Sequence, residues 1–196
     1  MTERARTWLL AVAAGVVVAV AVVAAGFWLA TVIDDTPEPD GTFVLDEPGI
    51  FEQPTDAINA DVTGRQLPDI ALTDADGNER RLDEFRGRPL VVNLWFSTCG
   101  PCKRELRDFA EVHADIGDEI QFVGVDPFDT VEAMERFAAE RGVQYPLWRD
   151  TNFALTNELE IVGYPVTLFV SPEGRILRQT GEIDGEELRA AIEELF

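Results

Sequence analysis

The chain is 196 residues long, with 37 Asp and Glu against 16 Lys and Arg and a formal net charge of −21. So acidic a surface disfavours nucleic acid and anionic lipid as partners. A zinc site needs four ligands, or three plus water, and this chain offers two cysteines and one histidine distant from them, which argues against one.

The segment Thr7 to Ile33 carries no charged residue. As a helix it would rise about 40 Å, more than the roughly 30 Å of a bilayer core. It also exceeds the roughly 7–15 apolar residues of a secretory signal. Residues 7–33 therefore read as a retained transmembrane anchor, with cleavage after one of the alanines as the alternative. Trp8 and Trp28 stand near its two ends, where amphipathic rings favour the interface. Arg4 and Arg6 precede it, and Asp34, Asp35, Glu38 and Asp40 follow. That asymmetry keeps residues 1–6 cytoplasmic and puts the remainder outside. Residues 34–64, rich in proline, glycine and acids, read as an irregular tether. Residues 65–196 suffice for one domain with its own core.

Within that domain, "DIALTDADGNERRL" alternates apolar and polar positions around Asp76-Gly77-Asn78, the pattern of a β-hairpin. "LDEFRGRP" reads as one helical turn stopped by Gly87 and Pro89. The apolar run "LVVNLWF" predicts a buried central strand over 90–96. Helical spacing then takes over from Pro101 to about Gly117, and "IQFVGV" is a second buried strand. An amphipathic helix follows, capped by Asp129 or Thr130 and stopped at Gly142. "QYPLWRD" is extended and "NFALTNELEI" helical. "VTLFV" and "RILRQT" flank a turn at Pro172-Glu173-Gly174, and the last thirteen residues form a helix. Strands that alternate with helices and end in a hairpin predict an α/β fold, a mixed sheet with helices on both faces and an N-terminal β-hairpin.

Both cysteines lie in "FSTCGPCKREL", at Cys99 and Cys102. A structural disulfide closing so short a loop would remove little chain entropy, and an unpaired couple of thiols suits an oxidising compartment poorly. A redox dithiol explains the placement. Pro101 suits the first turn of a helix, since its missing N–H has no intrahelical partner there. Cys99 then faces the unpaired N–H groups and positive dipole end, which favour a thiolate. Cys102, deeper in the first turn, is the resolving thiol that attacks a mixed disulfide on Cys99. His113 lies about three turns into the helix, too far to activate Cys99, and reads as a packed or surface histidine.

"FSTCGPC" at a strand-to-helix junction, with "VGYPVTLFV" some 60 residues on, resembles the thioredoxin fold. With the anchor, the hairpin, "VVNLWFSTCGPCKREL", the extra "DTVEAMERFAAERG" helix and "GYP", the chain resembles the membrane-tethered TlpA/ResA/DsbE-type thiol–disulfide oxidoreductases. The resemblance implies that Pro165 is a cis-proline beside the dithiol, turning the backbone of Tyr164 toward the substrate as a strand-like edge. It makes Glu105 a candidate proton acceptor, against a simpler role as a first-turn acid complementing the helix dipole. Thr98, Gly100, Pro101, Tyr164 and Trp95 become candidate substrate contacts, with core packing the competing explanation for Trp95. Thioredoxin has an aspartate where Asn93 stands and a tryptophan where Thr98 stands. Asn93 cannot carry a proton, which leaves acid–base work to Glu105 or water.

The resemblance implies no metal and no cofactor. It implies exported thiol or disulfide proteins as partners, apocytochrome c among them, and a membrane partner that exchanges electrons. The Gly-Pro pair between the cysteines resembles the reducing thioredoxin and favours a reductase. A disulfide oxidase is the alternative, and a peroxidase or a copper-delivery role are rivals of other classes.

Overall fold

The computed structural model describes residues 58–196, together with Ala21 and Ala24, both helical. The rest of the expected anchor and most of the expected tether fall outside the described residues. Among the described residues no helix is long and apolar enough to cross a membrane.

In chain order the elements are β1 (Ala71–Asp74), β2 (Glu79–Arg81), a 3-10 turn (Leu82–Phe85), β3 (Leu90–Leu94) and α1 (Gly100–Ile116). Then follow β4 (Gln121–Asp126), α2 (Val131–Ala139), β5 (Leu147–Arg149), α3 (Ala154–Glu158), β6 (Val166–Val170), β7 (Ile176–Thr180) and α4 (Gly185–Leu195). The strands form one seven-stranded sheet in the order β2-β1-β5-β4-β3-β6-β7. β3, β4 and β5 run parallel, and the remaining pairings are antiparallel. This is the expected mixed sheet of a thioredoxin-like α/β fold.

Local chemistry sets the boundaries. Asp74 Oδ1 accepts from the backbone N–H groups of Asp76 and Asn78, and Gly77 takes φ 85°, so the first hairpin closes where only glycine turns freely. Thr130, not Asp129, caps α2, its hydroxyl accepting from Ala133 N–H. Asp184 and Glu187 form a reciprocal capping box on α4. The helix read from "NFALTNELEI" is shorter than expected, because Phe153 and Glu160 adopt left-handed φ values of 57° and 55° at its two ends.

Alternation along β3 sorts the core into two layers. Val91 and Trp95 face α1, α2 and α4 with Phe122, Phe169, Leu106, Phe109 and Phe137. Leu90, Val92 and Leu94 face α3 and the 3-10 turn with Val123, Val125, Leu155, Leu168 and Leu82. Each fully buried Leu, Val or Phe contributes about 1.5–3 kcal/mol over its exposed state, so these two layers hold the sheet in place.

The packed domain starts earlier than the expected boundary at residue 65. Val62 is buried, Gly64 N–H donates to the Ile176 carbonyl, and Gln66 bridges to Arg175, so residues 62–66 run along the outer edge of β7. At the opposite margin, β2 carries Glu79, Arg80 and Arg81.

Candidate active site

β3 ends at Leu94, and Leu94 pairs with Val166 at the start of β6. The segment 95–99 leaving β3 and the Tyr164–Pro165 segment entering β6 therefore meet at one end of the sheet. The chain crosses from Phe96 to Cys99 in a tight turn, with Cys99 N–H donating to the Phe96 carbonyl at 3.1 Å. Cys99 is the N-cap of α1, Pro101 lies in the helix's first turn, and the Cys99 sulfur accepts from Cys102 N–H at 3.2 Å. The cap position is usually filled by a side-chain oxygen; here a sulfur occupies it and faces the unpaired donors of the helix. Cys99 and Cys102 are joined in a disulfide, with their Cα atoms 5.3 Å apart. Both are buried, Cys102 fully and Cys99 at 6% exposure. Across from them, the Tyr164–Pro165 peptide bond is cis.

Beneath the dithiol a polar seam interrupts the apolar face of the sheet. Asn93, on the same side of β3 as Val91 and Trp95, donates through Nδ2 to Glu105 Oε1 at 2.9 Å and to Thr167 Oγ1 at 3.2 Å. Glu105 projects from α1 three residues after Cys102, a spacing that shares one helix face. It is 2% exposed and also accepts from Ile183 N–H at 3.3 Å. Burial pushes its carboxyl up to about 8, against the opposing pull of the Asn93 amide and the Ile183 N–H. A carboxyl raised this far holds its own proton in most molecules at neutral pH, and takes one from a thiol only in its ionised fraction, which grows as pH rises.

An acidic pair, Asp126 and Asp129, braces the cysteine loop. Asp129 Oδ2 accepts from Ser97 N–H at 2.6 Å and Oδ1 from the Ser97 hydroxyl at 2.9 Å. Asp126, fully buried at the end of β4, accepts from the N–H groups of Phe128 and Asp129. Burial, then the neighbouring Asp129 carboxyl, pushes Asp126 up to about 7. Burial works against Asp129 as well, but the Asp126 proton and both Ser97 donors outweigh it and hold that carboxyl below its usual range.

Around the dithiol, four rings from four segments form a chain of contacts. Phe96 meets Phe128 with ring centres 4.9 Å apart and Tyr164 at 5.5 Å, while Phe128 meets Tyr164 at 5.6 Å and Phe153 at 5.3 Å. Phe128 is 53% exposed, and the Tyr164 hydroxyl is tied to Thr156 Oγ1 at 3.1 Å. Val162 and Ile58 are exposed apolar residues on the approach to Tyr164, Ile58 lying beside Gly163.

Of the residues singled out in the sequence, Cys99, Cys102, Glu105, Pro165, Gly100, Pro101, Thr98 and Tyr164 gather here; Thr98 and Gly100 are exposed and Tyr164 and Pro101 half-buried. Trp95 is a correction. It is fully buried and packs against Phe137 at 5.3 Å, inside the core that also holds both sulfurs, so it supports the dithiol from below and does not line a docking rim. Gly124 makes room for it: a Cβ there would lie 2.8 Å from Trp95 Nε1. His113 packs edge-on against Phe122 and Tyr145, away from the sulfurs. Sequence reasoning passed over Phe96, Phe128, Phe153 and the Asp126–Asp129 pair. The signal was "DPFDT" at the carboxyl end of a strand parallel to β3, where α/β folds place their sites.

A mixed sheet of this topology, with a CxxC disulfide at a helix mouth and a cis-proline opposite, defines a thioredoxin-fold thiol–disulfide oxidoreductase. The AhpC/TSA family model matches residues 63–179, and the chain belongs to that family. Thiol-disulfide oxidoreductase ResA of Geobacillus kaustophilus is 26% identical over 134 residues, covering 67% of this chain and 77% of that protein. ResA of Bacillus thuringiensis subsp. konkukian is 22% identical over 132 residues, covering 67% and 75%. Among solved structures, the thioredoxin domain of a Bacteroides vulgatus thiol-disulfide oxidoreductase superposes with a TM-score of 0.60 at 26% identity, covering 67% of this chain and 96% of that one. MTB dsbF superposes with a TM-score of 0.60 at 25% identity, covering 65% and 96%.

Proposed function

We propose that the chain is a membrane-tethered, extracytoplasmic reductase of protein disulfides, with the dithiol domain held outside the cell by residues 7–33. The observation that carries the exchange chemistry is Cys99 as the N-cap of α1, its sulfur against the Cys102 N–H and joined to Cys102. In the reduced form, the Cys99 thiolate attacks one sulfur of a substrate disulfide and expels the other as a thiolate. Cys102 then passes its proton to Glu105 and attacks the Cys99 sulfur. The second substrate sulfur is released as a thiolate, the two sulfurs take up the proton from Glu105 and one from solvent, and the substrate leaves as a dithiol, two electrons richer, with Cys99–Cys102 again a disulfide. Thr98, Gly100, Pro101, Tyr164 and Phe128 meet the substrate, and Pro165 shapes the edge beside it. Exported proteins whose cysteines must stay reduced, apocytochrome c among them, are the proposed substrates, and a membrane partner returns the electrons. The uncharged run after Arg4 and Arg6, and the Gly-Pro pair between the cysteines, support location and direction respectively.

The test is a trap. Cys102→Ser should accumulate mixed disulfides with exported proteins, while Cys99→Ser should lose exchange altogether; equal trapping by both variants would overturn the order of attack. Redox titration against glutathione decides direction: a potential near about −270 mV supports a reductase, and one near about −120 mV overturns it.

A further inference from the structure

Asn59 lies before the family match, which begins at residue 63, yet its side chain reaches the loop that leads to Pro165. It is 8% exposed. Its Oδ1 accepts from Val162 N–H at 2.8 Å and Gly163 N–H at 2.9 Å, and its Nδ2 donates to the Gly163 carbonyl at 3.0 Å. These bonds satisfy backbone groups that no strand serves, since β6 begins only at Val166. The segment around Asn59 is itself anchored to β7. Gln179 Nε2 donates to the Ala60 carbonyl at 3.1 Å, and Val62 N–H donates to Gln179 Oε1 at 3.3 Å. The held loop presents Val162, 70% exposed, and Ile58 packs alongside: a Cβ on Gly163 would lie 3.6 Å from Ile58 Cγ2.

We propose that Asn59 is a positioning residue for polypeptide substrates. It fixes Val162–Gly163 so that the backbone entering Tyr164 meets an extended substrate segment without first having to be ordered, with Val162 and Ile58 as apolar contacts on that segment. A loop ordered beforehand spares the entropy that binding would otherwise lose. A small disulfide that reaches only the sulfurs gains nothing from it. The proposal rests on the exchange chemistry given above.

The experiment compares single-turnover reduction of insulin and of hydroxyethyl disulfide by the reduced full-length chain and by Asn59→Ala and Asn59→Asp. In Asn59→Ala the half-saturating insulin concentration should rise about tenfold with the limiting rate within about twofold. Hydroxyethyl disulfide kinetics and the redox potential should stay at wild-type values. Asn59→Asp keeps both acceptor bonds but turns a carboxylate oxygen toward the Gly163 carbonyl in place of the donor, so it too should raise the half-saturating insulin concentration, and it decides the matter if the alanine variant does not fold. Amide exchange at Val162 and Gly163 should quicken in step. Wild-type saturation by insulin in Asn59→Asp and in any folded Asn59→Ala overturns the proposal, and so does an equal loss with both disulfides, which would reduce Asn59 to a structural role. A wild-type chain that reduces neither probe would overturn the exchange chemistry instead.

Discussion

The two faces of the central strands are built from the same backbone and differ in one respect. On the α3 side, Leu90, Val92, Leu94, Val123, Val125, Val166, Leu168 and Val170 form a continuous aliphatic layer. On the α1 side, the equivalent rows hold Val91, Phe122 and Phe169, but Asn93 and Thr167 break the run and Glu105 descends onto them from α1. Asn93 and Thr167 are register partners, so one polar row crosses two strands beneath α1, where Glu105 meets it. Burying an amide, a hydroxyl and a carboxyl costs several kcal/mol unless each finds a partner. A sheet needs no such row to fold, as the other face demonstrates. The polar row is the expense of chemistry, and the aliphatic face carries stability.

The largest effect that sharpens this contrast should come from the aliphatic side. Leu168→Ala, at a fully buried position, should lower unfolding free energy by about 2–5 kcal/mol in urea titration. Its redox potential should be unchanged, and a shifted potential would mean the two faces are not separable. Glu105→Gln tests the polar side. The Glu105 carboxyl is raised when folded, to about 8, so the native state holds a proton that the unfolded chain releases above about 4.5. The contribution of this one carboxyl should therefore be fully present below about pH 4.5 and fall by on the order of 2–4 kcal/mol as pH rises through 8. The glutamine variant should lose that part of the slope, leaving the smaller loss below about pH 7 due to Asp126, and should exchange disulfides more slowly near neutral pH. Identical pH–stability curves for the two proteins would remove Glu105 from this account. The smallest effect belongs to the rim. Phe128→Ser should slow reduction of insulin about tenfold while costing stability no more than about 1 kcal/mol. Equal slowing toward hydroxyethyl disulfide would deny the ring a role in docking.

Local signals made much of this readable before any coordinates. The run at 90–96, the Pro101 helix start and the Asp76–Asn78 turn each depend on neighbours in sequence; the strand ends two residues early at Leu94, the helix starts one residue early at Gly100, and the turn stands where the pattern puts it. Even the face of Trp95 was readable, since it shares parity with Val91 and so lies under α1. What escaped depends on distant partners. Nothing around Asn59 announces a partner more than 100 residues away, and Asp129 resembles a helix cap until Ser97 is seen to claim it. The aromatic rim escaped for the same reason, because Phe96, Phe128, Phe153 and Tyr164 meet only once four separate segments converge.

The strip of backbone laid along β7, with Gly64 donating to Ile176 and Ile176 donating back to Arg65, has a colloidal consequence. An uncovered terminal strand offers a ladder of free amides to any other chain that wanders by. Here one flank is already zipped shut by the molecule's own leader, and the other is guarded by the charges of Glu79, Arg80 and Arg81.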